Sequence, residues 1–284
     1  MTEKSFFRRS AIGIVFFWIT LFVLIPNLLV IISSFLERDP AHFIRFVFST
    51  ESYRNLFAAV FFRIFLNSFK NAFIATLVCL LLSYPFAILL CRVRPSLRRY
   101  LLVLIIIPFW TSSLIRTYAL VILLKGNGIL NSLLMGAGLI REPLQILYSD
   151  FAVFCGLVYT LLPFMILPLY GNIEKLDIRM VEAAFDLGAS RMQTFFRIIL
   201  PLTMPGIIAG SILVFLPALG LFYIPDILGG AKSMLIGNFI RDQFLTARDW
   251  PFGAAASVIL TAVMGFMLLA YYYSLKRFNA KLME

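Results

Sequence analysis

The sequence predicts an all-α membrane protein with six transmembrane helices. Of its 284 residues 61% are hydrophobic and 14% are charged, which leaves too little polar surface to cover a soluble globule of this size. Six apolar runs reach the roughly 18 residues that a helix needs to cross hydrocarbon. The basic residues also sort by side. Lipid offers no partner for an open strand edge, so the spans must be helical.

The first run, 11–35, follows Lys4, Arg8 and Arg9 and begins like a secretory signal. It is too long for one and no small-residue cleavage site follows, so it reads as a retained anchor. The stretch 37–63 mixes Phe46, Phe48, Tyr53, Leu56 and Phe57 with Arg45, Glu51 and Arg54, the composition of an amphipathic loop lying along the outer interface. The second and third runs are 71–91 and 100–124. The segment 126–150 carries Gly126, Gly128, Gly136 and Gly138, which predicts loop plus a short re-entrant or surface helix. The fourth, fifth and sixth runs are 151–170, 204–221 and 252–275.

With the amino terminus inside, the cytoplasmic pieces 1–10, 92–99, 171–200 and 276–284 hold 14 Lys and Arg in 57 residues, and the outer pieces hold 10 in 91. The denser side is the inside, as the positive-inside rule asks. The domain reading is therefore a cytoplasmic start at 1–10, one transmembrane domain over 11–275 with an inward loop at 171–201, and a cytoplasmic end at 276–284. The net charge of +11 is accounted for by this sidedness and gives no reason to expect nucleic acid.

Prolines 26, 85, 108, 163, 168 and 217 fall inside the runs. Each removes a helical hydrogen bond and crowds the carbonyl four residues back, so kinks are expected, with Pro163 and Pro168 bending or breaking the fourth span. Freed carbonyls fit beside a water-filled cavity lined by the third to fifth spans, or simply within irregular packing. Cys79, Cys91 and Cys155 share no metal-ligand spacing and His42 is the single histidine, so no metal centre is expected. The nearest approach to a phosphate-binding loop, Gly229-Gly230-Ala231-Lys232-Ser233, has Ala231 where the second glycine belongs. With no other nucleophile and base pairing evident, no catalytic residues are nominated and no cofactor is expected on this chain.

The inward loop holds EAAFDLGASRMQTFFRIILP, residues 182–201. Asp177 is placed to cap a helix starting at Ile178. Gly188 is placed to end it in the left-handed conformation that glycine adopts without steric cost. Ser190 and Gln193 have capping-box spacing for a second helix, and Pro201 marks the next boundary. Small Ala183 and Ala184 leave room for a partner surface, while Arg179 and Glu182 supply charge for orientation.

The spacing Glu182-Ala183-Ala184, three residues, Gly188, nine residues, Ile198, one residue, Leu200-Pro201 resembles the EAA loop of ABC-importer permeases. The runs PFWTSSLIRTYAL (108–120), GLVYTLLPFMILPLYGNIEKLD (156–177) and LPALGLFYIPDILGGAKSMLIGNFI (216–240) further resemble permeases of spermidine and putrescine importers. The resemblance covers nearly the whole chain and is weakest over 37–65. It implies the type I importer architecture (MetI-like) in the bacterial inner membrane. It also implies a second homologous permease, two ATPase subunits carrying ATP and Mg, a periplasmic polyamine-binding protein, and a polyamine as cargo. Two other readings stay open: an importer of another small solute, and a transporter or channel driven by an ion gradient, which leaves the EAA spacing without a purpose.

A polyamine pathway calls for aromatic faces along the methylene stem and sparse carboxylates for the ammonium ends. Phe222, Tyr223 and Asp226 at the outer end of the fifth span fit a gate, or else an interfacial aromatic belt with a solvated acid. Trp110, Tyr118, Tyr159 and Asp150 are further nominees beside the kinked spans. Arg116 is an intramembrane charge that repels this cargo. It calls for either a structural pair with a carboxylate, Asp150 being one candidate, or a position facing the outer cavity, and both readings stay open.

Overall fold

The computed structural model of the chain describes the backbone of residues 2–39, 42–230 and 233–283, and the side chains of those residues except 2–8, 10 and 274–283. The side chains of Lys4, Arg8 and the end piece 276–284 lie outside the described residues, as do Ala231 and Lys232 of the phosphate-loop look-alike. Among the described residues six stretches are long and apolar enough to cross a membrane: Ala11–Ser33, Ala59–Arg92, Ser113–Gly136, Asp150–Ile173, Arg191–Gly220 and Trp250–Tyr273.

In chain order, α1 (Thr2–Ile19) passes through a π turn (Thr20–Leu24) into α2 (Ile25–Ser33). Two strands follow, β1 (Leu36–Asp39) and β2 (Phe43–Phe48), then α3 (Glu51–Leu56), α4 (Ala59–Arg92), α5 (Pro95–Ile106), α6 (Ser113–Leu124), α7 (Ile129–Gly136) and α8 (Asp150–Ile173). The rest is α9 (Ile178–Asp186), α10 (Arg191–Thr194), α11 (Leu200–Gly220), α12 (Ile236–Leu245) and α13 (Trp250–Met283). The chain divides into two compact units, one of Met1–Arg63 with Phe239–Met267 and one of Ile64–Asn238 with Leu268–Glu284.

The first unit corrects one expectation. The stretch read as an amphipathic loop over 37–63 contains an antiparallel hairpin, with Glu37 opposite Arg45 and Asp39 opposite Phe43, a small β element within an otherwise helical fold. Side-chain pairs hold it. Arg38 reaches Asp249 at 3.4 Å and donates to the Ala247 carbonyl at 2.8 Å. Phe43 stacks on Trp250 at 5.4 Å between ring centres. Phe35 stacks on Phe48 at 5.9 Å, and the Ser34 and Tyr53 hydroxyls hydrogen-bond at 2.8 Å.

The second unit is built on α8 packed against α11. Its close approach follows from glycine: a Cβ at Gly210 would stand 2.7 Å from the Met165 sulfur, and one at Gly206 would stand 3.1 Å from the Pro168 carbonyl oxygen. In lipid, where apolar area alone gives helices little reason to associate, such small residues let backbones meet and dispersion accumulate. Leu157, Leu161, Met165 and Leu169 are accordingly buried along α8. Helix α4 joins them, its Tyr84 hydroxyl 2.9 Å from Thr203 Oγ1 and Phe69 edge-on to Phe215 at 5.4 Å.

The prolines within the spans have three different outcomes. α8 stays helical from Asp150 to Ile173 through both Pro163 and Pro168, so the fourth span is not broken there; it packs against α11 on the Gly206 and Gly210 side. The third run, expected as one span over 100–124, is split instead. A 3₁₀ turn at Ile107–Trp110 ends α5, Thr111 is extended, and α6 starts afresh at Ser113, so the long apolar stretch is Ser113–Gly136. Pro201, expected as a boundary, is not one. α10, a π turn (Phe195–Ile199) and α11 run on without a gap.

Candidate functional site

The loop after α8 folds as its local chemistry requires. The Asp177 side chain accepts from the Arg179 backbone N–H at 3.0 Å and caps α9. Gly188 has φ +81° and closes it in a left-handed turn, with its own N–H reaching the Phe185 carbonyl at 2.9 Å and the Ala189 N–H the Ala184 carbonyl at 3.0 Å. Ser190 and Gln193 then form the capping box in both directions, at 2.8 Å and 3.3 Å. Two short helices are thus joined at a turn defined by local side-chain caps and a left-handed glycine.

Arg179, Glu182 and Ala183 are exposed on α9, as a docking surface requires. Ala184 is not: at 5% exposure it lies inside the turn, so its small side chain serves the fold of the loop rather than an approaching partner. Ile198, Leu200 and Pro201 are half-buried where the π turn enters α11. Sequence reasoning missed the apolar contribution. Leu187 is 88% exposed, and Met180, Phe185 and Met192 are exposed beside it. A cluster of bare apolar side chains on a polar loop marks a contact surface, and the signal was a leucine directly before the capping glycine.

At the other end of α11 the helix stops at Gly220, Leu221 is extended, and a π turn (Pro225–Gly229) follows. Phe222 and Tyr223 meet edge to face at 6.0 Å, and the Asp226 N–H donates to the Phe222 carbonyl at 3.3 Å. This segment is packed on the start of α8. A Cβ at Gly156 would stand 2.9 Å from Ile224, and the Tyr148 N–H donates to the Leu228 carbonyl at 2.8 Å. Asp150 belongs to the same cluster, its carboxylate accepting from the Ser233 hydroxyl. Of the remaining nominees, Trp110 is 81% exposed after the 3₁₀ turn and Tyr118 is exposed on α6.

Tyr159 instead lines an apolar cavity of about 380 Å³ with Arg116, Pro108 and Pro163. Here the structure corrects the suggested ion pair. Among the described residues Arg116 makes none with Asp150, which takes Ser233 instead, and the Arg116 Nε is buried without a hydrogen-bond partner. Arg116 lines the same cavity as Tyr159. No group of three or more potential metal ligands occurs among the described residues.

A long apolar bundle that carries a capped helix pair on one loop is the form of a transport permease. The chain belongs to the family of binding-protein-dependent transport system inner membrane components, whose model matches residues 83–282. It is 52% identical to the spermidine/putrescine transport system permease PotB of Salmonella typhi, over 100% of this chain and 99% of that one. It is 55% identical to PotB of Escherichia coli (strain K12) over 93% and 96%, and 51% identical to that of Haemophilus influenzae over 97% and 96%. A solved bacterial ABC transporter involved in import of the polysaccharide alginate shares the fold, with a TM-score of 0.78 over 97% of this chain and 96% of that one at 17% identity. The chain is thus a multi-pass inner-membrane permease of the ABC-importer class, and not an enzyme.

Proposed function

We propose that this chain is a permease subunit of an ATP-driven spermidine/putrescine importer. The observation that carries the reading is its 52% identity, end to end, to permeases of that system. In this reading the chain pairs with a second, homologous permease to form the path, and a periplasmic polyamine-binding protein delivers the cargo. Two ATPase subunits, holding ATP and Mg, take hold of the 171–201 loop from the cytoplasm, with both termini on that side.

Residues Asp177, Arg179, Glu182, Ala183, Ala184, Gly188, Ile198, Leu200 and Pro201 form the coupling element. The caps at Asp177 and Ser190 fix its shape, and exposed Glu182 with apolar Leu187 gives an ATPase both orientation and contact area. Phe222, Tyr223 and Asp226, supported by Asp150, form the gate. Aromatic faces for methylenes and ammonium groups contribute about 0.5 to 2 kcal/mol per contact, enough to guide a polyamine and weak enough to release it. Trp110, Tyr118 and Tyr159 are assigned to the wall of the path.

The test is uptake by proteoliposomes containing the assembled complex, loaded with ATP and supplied with the binding protein. Labelled spermidine and putrescine should accumulate and sulfate should not. Accumulation of another solute in place of polyamines overturns the cargo, and accumulation without ATPase subunits overturns the class of mechanism.

A further inference from the structure

Helix α9 does not close tightly onto the unit that carries it. Beneath it lies a cavity of about 660 Å³ whose wall is mostly apolar, with Ile178, Val181 and Phe185 of α9 on one side. These stand at i, i+3 and i+7, a single face of the helix. Three arginines edge the cavity: Arg92 at the last residue of α4, Arg98 in the first turns of α5, and Arg191 at the first residue of α10. Arg98 pairs with Glu174 at 3.1 Å. Neither Arg92 nor Arg191 has such a carboxylate among the described residues. The cavity therefore carries two uncompensated positive charges beside a greasy wall. It sits where two membrane spans, ending at Arg92 and Ile173, both stop.

We propose that this cavity binds an anionic phospholipid, its phosphate held by Arg92 and Arg191 and its glycerol and first methylenes laid against Ile178, Val181 and Phe185. Guanidinium groups match phosphate oxygens bidentately. The volume falls in the range of small-molecule sites. Free phosphate would satisfy the arginines and leave the apolar wall wet. A zwitterionic lipid would bring an ammonium group to a site already in positive excess. Arg92, Arg94, Arg98 and Arg99 also crowd the end of a span within eight positions, the pattern that draws anionic headgroups to a membrane surface. A lipid seated there lies under the helix that bears Glu182, so the bilayer's anionic content would set how firmly that helix is supported.

The experiment is native mass spectrometry of the complete importer, purified from detergent containing equal phosphatidylglycerol and phosphatidylcholine. Its readout is lipid retention, so it stands or falls apart from the identity of the cargo. The unaltered complex should retain phosphatidylglycerol in preference to phosphatidylcholine. Each arginine near an anionic headgroup is worth roughly five-fold, so Arg92→Gln with Arg191→Gln should lower retention about thirty-fold. Arg141→Gln, an exposed arginine outside that cluster that does not line the cavity, should leave it unchanged. If the double variant fails to assemble, Arg92→Gln alone should show the five-fold loss. Equal retention of both lipids, retention unaffected by the arginine changes, or displacement of the lipid by excess inorganic phosphate would each overturn the proposal.

Discussion

The Leu200 backbone N–H donates to the Phe195 carbonyl, five residues back instead of four, immediately before Pro201. That wider turn displaces the carbonyl that a proline ring would strike and absorbs the missing donor. The same device precedes Pro26, where the Ile25 N–H reaches the Thr20 carbonyl. At Pro201 the consequence is mechanical: the stretch Arg191–Gly220 is one helical body from the capping box to the turn before Phe222. Motion applied at the loop would reach the proposed gate through an unbroken helix.

Glu182→Lys should abolish ATP-driven uptake while the protein stays in the membrane, because Glu182 is exposed and makes no side-chain hydrogen bond or ion pair among the described residues. Gly188→Asp should do the same through the turn, since a side chain at φ +81° strains the closure of α9 by about 1 kcal/mol or more. Uptake assays beside membrane immunoblots measure both. Normal uptake in either variant removes the loop from the coupling role.

Gly210→Val should destabilise the chain, because its new side chain meets the Met165 sulfur at 2.7 Å where α8 and α11 touch. Overpacking of this kind costs about 1–3 kcal/mol. Gly171→Ala, with nothing within 4 Å of the added carbon, is the matched control and should melt like the parent. Thermal unfolding of the detergent-solubilised complex compares them.

Asp226→Asn should weaken polyamine uptake more than it weakens assembly of the complex, since it removes charge and keeps shape. Uptake rates set against the yield of co-purified subunits give the comparison. Equal losses in both would make Asp226 a structural residue.

Arg116→Met should fold at least as well as the parent. The buried Nε has no hydrogen-bond partner among the described residues, so replacing it with an apolar side chain removes an unmet polar group whose burial costs about 1–3 kcal/mol. A fall in thermal stability of the variant would show that the guanidinium has a partner in the assembled complex.

Legibility followed range along the chain. The caps at Asp177, Gly188 and Ser190 with Gln193 were readable because each joins residues no more than five apart. The hairpin at 36–48 was not, although Asp39-Pro40 is a turn signal and 43–48 is rich in aromatic and branched residues. What stabilises it, Arg38 on Asp249 and Phe43 on Trp250, lies some two hundred residues away. Arg116 was flagged as a charge in an apolar run, but among the described residues it does not meet Asp150, whose carboxylate accepts from Ser233.

Composition and periodicity settled by themselves that the chain is helical, spans a membrane six times and carries a capped loop on one side, because hydrocarbon length and backbone hydrogen bonding are local demands. Only the folded chain decided which prolines interrupt a helix. A proline's effect depends on its surroundings: Pro108 lies in the turn that ends its helix, Pro163 and Pro168 sit within an unbroken α8 packed on α11, and Pro201 is carried through by a π turn. Those three outcomes come from one residue type. The difference between them lies in the neighbours that tertiary contact supplies.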